Sequence, residues 1–155
     1  AQWSGDASGT NNPLTVVLNS NVTLQAVFEE ILTTNHPTPL WWLAAHGYRQ
    51  NFETAVLNIG SNGFALWQSS IAGLNPNDPT SQLKLSVTSG DGESVILNWN
   101  AVTGRLYTVW FSTNGLESFT PINGAADLPA SITGITNGPI NATPATFYRL
   151  EVRKP

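Results

Sequence analysis

The sequence predicts a mainly β protein made of a β-hairpin, a short helix–loop–helix element and a small antiparallel β-sandwich. Three observations carry this prediction. Only 10% of the 155 residues are charged, and 13 Gly and 10 Pro accompany abundant Asn, Thr and Ser, a mixture poor for long helices and suited to short strands joined by turns. From Gln82 onward, apolar and polar residues alternate in short runs bounded by turn residues. Between Pro39 and Gly73 the pattern changes to two short helical stretches flanking a glycine-centred loop.

Residues 1–32 read as the closing half of a β-repeat module. LTVVL (14–18) and VTLQAVF (22–28) flank Asn19-Ser20-Asn21, a turn-forming group, so a hairpin is expected, with Val22, Leu24, Ala26 and Phe28 on its buried face. A lone hairpin is marginal in water and needs a covering surface, either a neighbouring element or another chain paired edge to edge. The abrupt start AQWSGDASG reads as the middle of a longer polypeptide.

Residues 33–81 form the helical element and its linkers. TTNHPTP (33–39) is read as a linker, and PLWWLAAHGY (39–48) as a helix begun by Pro39 and stopped by Gly47. That helix carries no charge, so most of its circumference is expected to be buried, with Trp41 or Trp42 among its most buried residues. A second helix spans about Ala65 to Ile71 and ends at Gly73, and GLNPNDPTS (73–81) breaks the chain again.

Residues 82–155 read as the sandwich. LKLSVTS (83–89) meets SVILNW (94–99) across Gly90-Asp91-Gly92, a strong hairpin signal. RLYTVWF (105–111) follows, then weaker strands near Phe119–Ile122 and Ser131–Ile135. In TFYRLEVR (146–153), Tyr148, Leu150 and Val152 face inward. The expected core is these three with Tyr107 and Val109, beside Trp99.

Composition excludes several function classes. Net charge is −4, and the six basic residues, Arg49, Lys84, Arg105, Arg149, Arg153 and Lys154, form no stripe, so nucleic acid is not an expected partner. No apolar run approaches the roughly 18 residues of a membrane span. Without cysteine there is neither a disulfide scaffold nor a thiolate zinc module, which fits a secreted or cell-surface bacterial β-domain. His36 and His46 lack a nearby Cys or acidic partner at metal spacing, and no nucleophile elbow or phosphate loop occurs. Glu29-Glu30 and Asp91/Glu93 sit at a strand end and a hairpin tip, where solvated carboxylates are ordinary. No catalytic residue is assigned and no enzyme is expected.

The richest chemical signal is NIGSNGFALWQS, from Asn58 to Ser69. A twelve-residue calcium loop takes ligands at positions 1, 3, 5, 7 and 9, a two-oxygen Glu at 12, and a Gly at 6 for the turn. Counting from Asn58 puts Gly63 at the turn, and Asn58, Gly60, Asn62, Phe64 (by its carbonyl), Leu66 and Ser69 at the ligand positions. No carboxylate remains among them. The loop is therefore expected to keep its shape without metal, held by Asn58 and Asn62 side chains on backbone N–H groups. No cofactor is expected. Calcium is the one alternative, with Asn58, Asn62 and Asp78 as its ligands and Glu53 as a further carboxylate.

The six tryptophans, at 3, 41, 42, 67, 99 and 110, raise a carbohydrate reading, since exposed aromatic faces stack on sugars. Trp67 and Trp99 fall on apolar faces and are expected in the core. Trp110 is expected on the outer sheet face, and adjacent Trp41 and Trp42 cannot both point inward, so these three are the candidate ligand or partner contacts.

All three segments resemble one recurring arrangement at the C-termini of large secreted bacterial proteins of the Verrucomicrobia–Kiritimatiella type. WSGDASGTNNPLTVVLNSNVTLQAVF resembles the end of a divergent internalin-type B repeat. TPLWWLAAHGYRQNFETAVLNIGSNGFALWQSSIAGLNPNDPTS resembles their helical element, which is similar to thrombospondin type 3 and dockerin calcium loops. VILNWNAVTGRLYTVWFSTN with FYRLEVR resembles a fibronectin-III-like (Ig-like) sandwich. Trp67, Gln68, Ala72 and Gly73 match the helical element, whereas Asn58, Gly60 and Asn62 stand where it carries Asp, Ser61 replaces its glycine and Ser69 its Glu. The resemblance implies a non-catalytic extracellular module serving spacing, cohesion or assembly. Its partners would be the upstream domains of the parent polypeptide, with other chains joined by strand pairing. The alternatives are a carbohydrate-binding module beside an upstream hydrolase, with polysaccharide as partner, and a C-terminal sorting or surface-anchoring domain suggested by Arg153-Lys154.

Overall fold

A computed structural model describes residues 2–139 and 145–155. The protein is mainly β, with antiparallel sheets and, among the described residues, three short helices. The chain divides into two compact units, Ala1–Leu32 and Thr33–Pro155.

In the first unit, β1 (Gln2–Gly5) pairs antiparallel with β2 (Leu24–Val27), from Gln2 opposite Val27 to Gly5 opposite Leu24. This differs from the expected hairpin: residues 14–18 form no strand, and the partner of 22–28 is the segment at 2–5. The clasp between Asp6 and Thr23 accounts for the exchange. The Thr23 N–H donates to the Asp6 carboxylate at 2.8 Å, and the Asp6 N–H donates to the Thr23 carbonyl at 3.0 Å. Trp3 closes the intervening loop, donating its indole N–H to the Asn11 carbonyl at 3.1 Å and bridging to Gly9. Of the face expected to be buried, Val22 and Ala26 are half-buried, but Leu24 and Phe28 are exposed. A two-stranded ribbon buries little by itself.

The second unit opens with a locked turn at 33–39, not a loose linker. Thr33 and Thr38 are both buried, and their hydroxyls both donate to the His36 carbonyl, at 2.6 and 2.8 Å. Helix α1 (Leu40–Ala45) follows Pro39 and ends before Gly47, whose φ of 98° suits glycine. Helix α2 (Phe52–Ala55) is too short to give a periodic signal and is an addition to the expected elements. Helix α3 (Leu66–Ala72) ends at Gly73 in the left-handed conformation, close to the expected bounds. Leu43, Val56 and Leu66 form the core of this element, with Trp42, Phe52 and Trp67 packed around it. Only one face of α1 is covered: Leu43 is fully buried, Trp42 half-buried, and Trp41 is 63% exposed. The expectation of a nearly all-round buried helix with a buried tryptophan therefore fails. A six-residue helix packing on one small cluster has only one side to cover, however few charges it carries.

The strand region forms a sandwich-like pair of sheets. One sheet has the order β3 (Leu85–Ser89), β4 (Val95–Trp99), β8 (Gly134–Asn137). In the other, β5 (Leu106–Ser112) has β6 (Thr120–Pro121) and β7 (Leu128–Pro129) along one edge and β9 (Phe147–Arg153) along the other. Strand phase follows the alternation in the sequence. Tyr107 and Val109 are fully buried, Trp99 nearly so, and Tyr148, Leu150 and Val152 pack against them. Both phenols find partners: the hydroxyl of buried Tyr107 accepts the Val102 N–H at 2.7 Å, and that of half-buried Tyr148 accepts from the Asn137 amide at 3.1 Å.

Candidate functional site

The loop from Asn58 to Ser69 is built from backbone outward. Ile59 and Ala65 form a short antiparallel bridge, and the Gly60 N–H donates to the Phe64 carbonyl at 2.8 Å. Gly63 turns the chain at φ 83°. The N–H groups at the start of α3 find partners in the loop and just before it: Leu66 donates to the Asn58 carbonyl at 3.0 Å and Trp67 to the carbonyl of Val56, at the end of α2, at 3.2 Å. Gln68 reaches back one turn to accept the Ala65 N–H at 3.0 Å.

Asn62 fills the interior of this loop. It is 1% exposed, and its side-chain oxygen accepts the Phe64 N–H at 3.1 Å. Its NH2 donates to the Ser69 hydroxyl at 3.0 Å and to the Ser81 carbonyl at 3.1 Å. One partner is an obligate donor and another an obligate acceptor, so the amide orientation is determined by its neighbours. The segment after α3 closes over the loop, where the Gln82 amide donates to the Asn62 carbonyl at 3.2 Å and Asn75 donates to the Ser81 hydroxyl at 2.9 Å. Gly60 is needed for this closure, because a Cβ there would lie 2.6 Å from the Pro76 carbonyl oxygen.

These residues do not fit calcium. A hard cation needs six to eight converging oxygens. Here the Asn62 NH2 is turned inward, the Phe64 carbonyl is engaged by Gly60, and Asn58 is exposed and acts through its backbone. The expected role of the Asn62 side chain is present, whereas Asn58 contributes its carbonyl instead. The outside carboxylates are engaged elsewhere. Asp78 accepts the Thr80 hydroxyl at 2.7 Å and its N–H at 2.8 Å, bonds that hold its pKa below the ordinary value. Glu53 accepts the Thr34 N–H at 2.9 Å and ties α2 to the locked turn.

Sequence reasoning missed Arg105, which anchors the element to the sandwich. Its guanidinium donates to the Ser70 carbonyl at 3.0 Å and to the Ile71 carbonyl, in the last turn of α3. A cation there also complements the negative end of the helix. Gly73 makes the approach possible, since a Cβ on it would lie 2.8 Å from the Val102 side chain. Beside this joint, Trp67, Ile71, Leu83 and Val152 line an apolar hollow of about 220 Å³ between α3 and β9. The only advance signal was a basic residue placed just before a strand, which by itself points nowhere.

The aromatic candidates stand on separate elements. Trp41 and Trp42 belong to α1, Trp110 to β5. Trp42 tilts against His46 with ring centroids 4.3 Å apart, while Trp67 stacks on His36 at 4.6 Å. Trp110 lies half-buried on the outer sheet face, with the Arg149 guanidinium 5.2 Å from its ring centroid and 4.9 Å from that of Phe119. Its exposed face is thus covered by an arginine. Trp41 remains the exposed aromatic of the three. Among the described residues, no three of His, Cys, Asp and Glu converge as a metal-binding set, and no helix is long and apolar enough to cross a membrane.

Comparison with protein families, curated proteins and solved structures finds no match for this chain.

Proposed function

We propose that the chain is a non-catalytic extracellular module of a larger secreted bacterial protein, with a role in spacing, cohesion or assembly. The observation that carries this reading is the Asn62 network. A loop with calcium-site spacing is filled by a neutral amide, and the helix it starts is fastened to the sandwich by Arg105. Polar groups at the centre of the element hold one another, which suits a rigid connector better than a group that binds or transfers anything. The resemblance of the strand region to a fibronectin-III-like sandwich, and of the helical element at 33–81 to a degenerate dockerin-like element, supports the same reading.

One observation favours a second reading: Trp41 presents most of its surface to solvent on a helix beside half-buried Trp42, the disposition of an aromatic platform for sugar rings. Fractionation of the producing cells with an antibody against this chain tests the first reading. The chain should be recovered at the surface or in the medium and be cleaved by protease added to intact cells. Recovery only from inside the cells would overturn it. Affinity electrophoresis through polysaccharide gels separates the two readings, since retardation lost in Trp41→Ala would establish the second.

A further inference from the structure

Strand β9 presents an edge whose chemistry is complementary to itself. The Val109 N–H donates to the Ala125 carbonyl and the Val109 carbonyl accepts the Ile122 N–H, both at 2.9 Å, so Val109 turns its backbone groups away from β9. Backbone groups alternate along a strand, so Thr108 and Trp110 turn theirs toward β9, opposite Glu151 and Arg149. The N–H and C=O groups of Tyr148, Leu150 and Val152 therefore point to the far edge. Among the described residues, β5 is the only strand paired with β9. The exposure agrees: the inward side chains Tyr107 and Val109 of β5 are fully buried, whereas Tyr148, Leu150 and Val152 in the same core are only half-buried. A long edge of this kind is a template for another strand.

We infer that this edge pairs with the same strand of a second copy, antiparallel about a two-fold axis at Leu150. That register places Leu150 opposite Leu150, Tyr148 opposite Val152, Arg149 opposite Glu151 and Phe147 opposite Arg153. Three features of β9 suit it. Tyr148, Leu150 and Val152 are the residues whose backbone groups, turned away from β5, would make the hydrogen-bonded pairs, and their side chains would extend both cores. Arg149 and Glu151, exposed on the outer face, would meet at the closer, non-hydrogen-bonded positions, where Cα atoms lie about 4.5 Å apart. The symmetry forms that ion pair twice, and each copy's Glu151 would flank the Arg149 that already lies over Trp110 and Phe119. Shifting the centre by one residue to Arg149 or Glu151 sets like charge against like charge, so charge selects the Leu150 register. Nothing in this pairing depends on the extracellular reading.

Sedimentation equilibrium of the whole chain over a wide concentration range tests this, with circular dichroism confirming that each variant folds. The wild type should show a reversible monomer–dimer equilibrium. Glu151→Arg, which places two arginines opposite each other at both positions, should weaken association by at least about tenfold, equivalent to about 1.4 kcal/mol. Arg149→Glu/Glu151→Arg together should restore it. A chain that stays monomeric at the highest concentration, or a dimer indifferent to Glu151→Arg, overturns the proposal. Should the double variant misfold, the cysteine-free background allows another measurement: Arg149→Cys/Glu151→Cys should oxidise to a covalent dimer with each bond joining 149 of one copy to 151 of the other. Absence of that cross-link in a folded protein likewise overturns it.

Discussion

The Asn62 amide donates to the Ser69 hydroxyl at 3.0 Å and joins the fifth and twelfth positions of a calcium-type register. In a loaded loop of this spacing both positions would carry oxygens turned toward an ion. Here one side chain has turned a donor inward, and the two residues close the loop on each other.

Replacing Asn62 with Ala should be among the more costly polar substitutions in the chain. The Phe64 N–H and Ser81 carbonyl would lose their partner in a partly buried place, where an unmade bond costs about 1–3 kcal/mol per group. A chemical denaturation experiment should show a loss of about 3 kcal/mol. Asn62→Asp keeps the acceptor for Phe64 but sets a carboxylate against the Ser81 carbonyl, so it should also destabilise the protein at neutral pH. A stable Asn62→Asp variant would mean that the amide donors matter little.

Arg105 should matter through its shape as well as its charge. Arg105→Ala leaves the Ser70 and Ile71 carbonyls without the guanidinium and should cost about 2 kcal/mol, since hydrogen bonds from charged groups are worth about 1.5–3 kcal/mol. Arg105→Lys keeps the charge but cannot reach two carbonyls with a planar fork, so it should recover only part of the loss. Hydrogen exchange should locate the effect in α3. An Arg105→Lys variant as stable as the wild type would reduce the contact to simple charge.

Acid should destabilise the fold in two steps. Burial pushes His46 below its ordinary 6.5, so the folded state disfavours the protonated ring and stability falls as pH drops below 6.5. The Arg153 guanidinium, 2.8 Å from Asp127, and the two Thr80 donors on Asp78 hold both carboxyls below their ordinary 3.8. For these groups the stabilisation is present above pH 3.8 and is lost as pH falls through the lower folded values. Both carboxylates are solvent-accessible, so the second step is small. Melting temperatures across pH should show the first decline in the wild type but not in His46→Gln.

The strand region and the loop register were legible in the sequence because their signals are local. A period of two along 146–153 places Tyr148, Leu150 and Val152 inward in any sheet, and Gly63 and Gly73 mark the turn and the helix end by the conformations they permit. What was not legible depended on distant partners. The turn signal at Asn19-Ser20-Asn21 loses to the clasp of Asp6 on Thr23, 17 residues away. Arg105 reaches Ser70 across 35 residues. The absence of charge in α1 could not show which side would be covered, and Trp41, adjacent to a half-buried tryptophan, ends up exposed. The segment 33–39 has the composition of a linker, yet its two buried threonines converge on a single carbonyl.

The central claim is that side-chain hydrogen bonds, and not an ion, hold the loop from Asn58 to Ser69. Thermal unfolding of the whole chain in excess calcium and again in excess chelator tests it most directly. A ligand stabilises the folded state by RT ln(1 + [L]/Kd), which is about 2.7 kcal/mol at one hundred times Kd and vanishes when nothing binds. The two melting temperatures should coincide. A melt lowered by chelator and restored by calcium would contradict the account, and would require the Asn62 amide to turn its oxygen toward a bound ion.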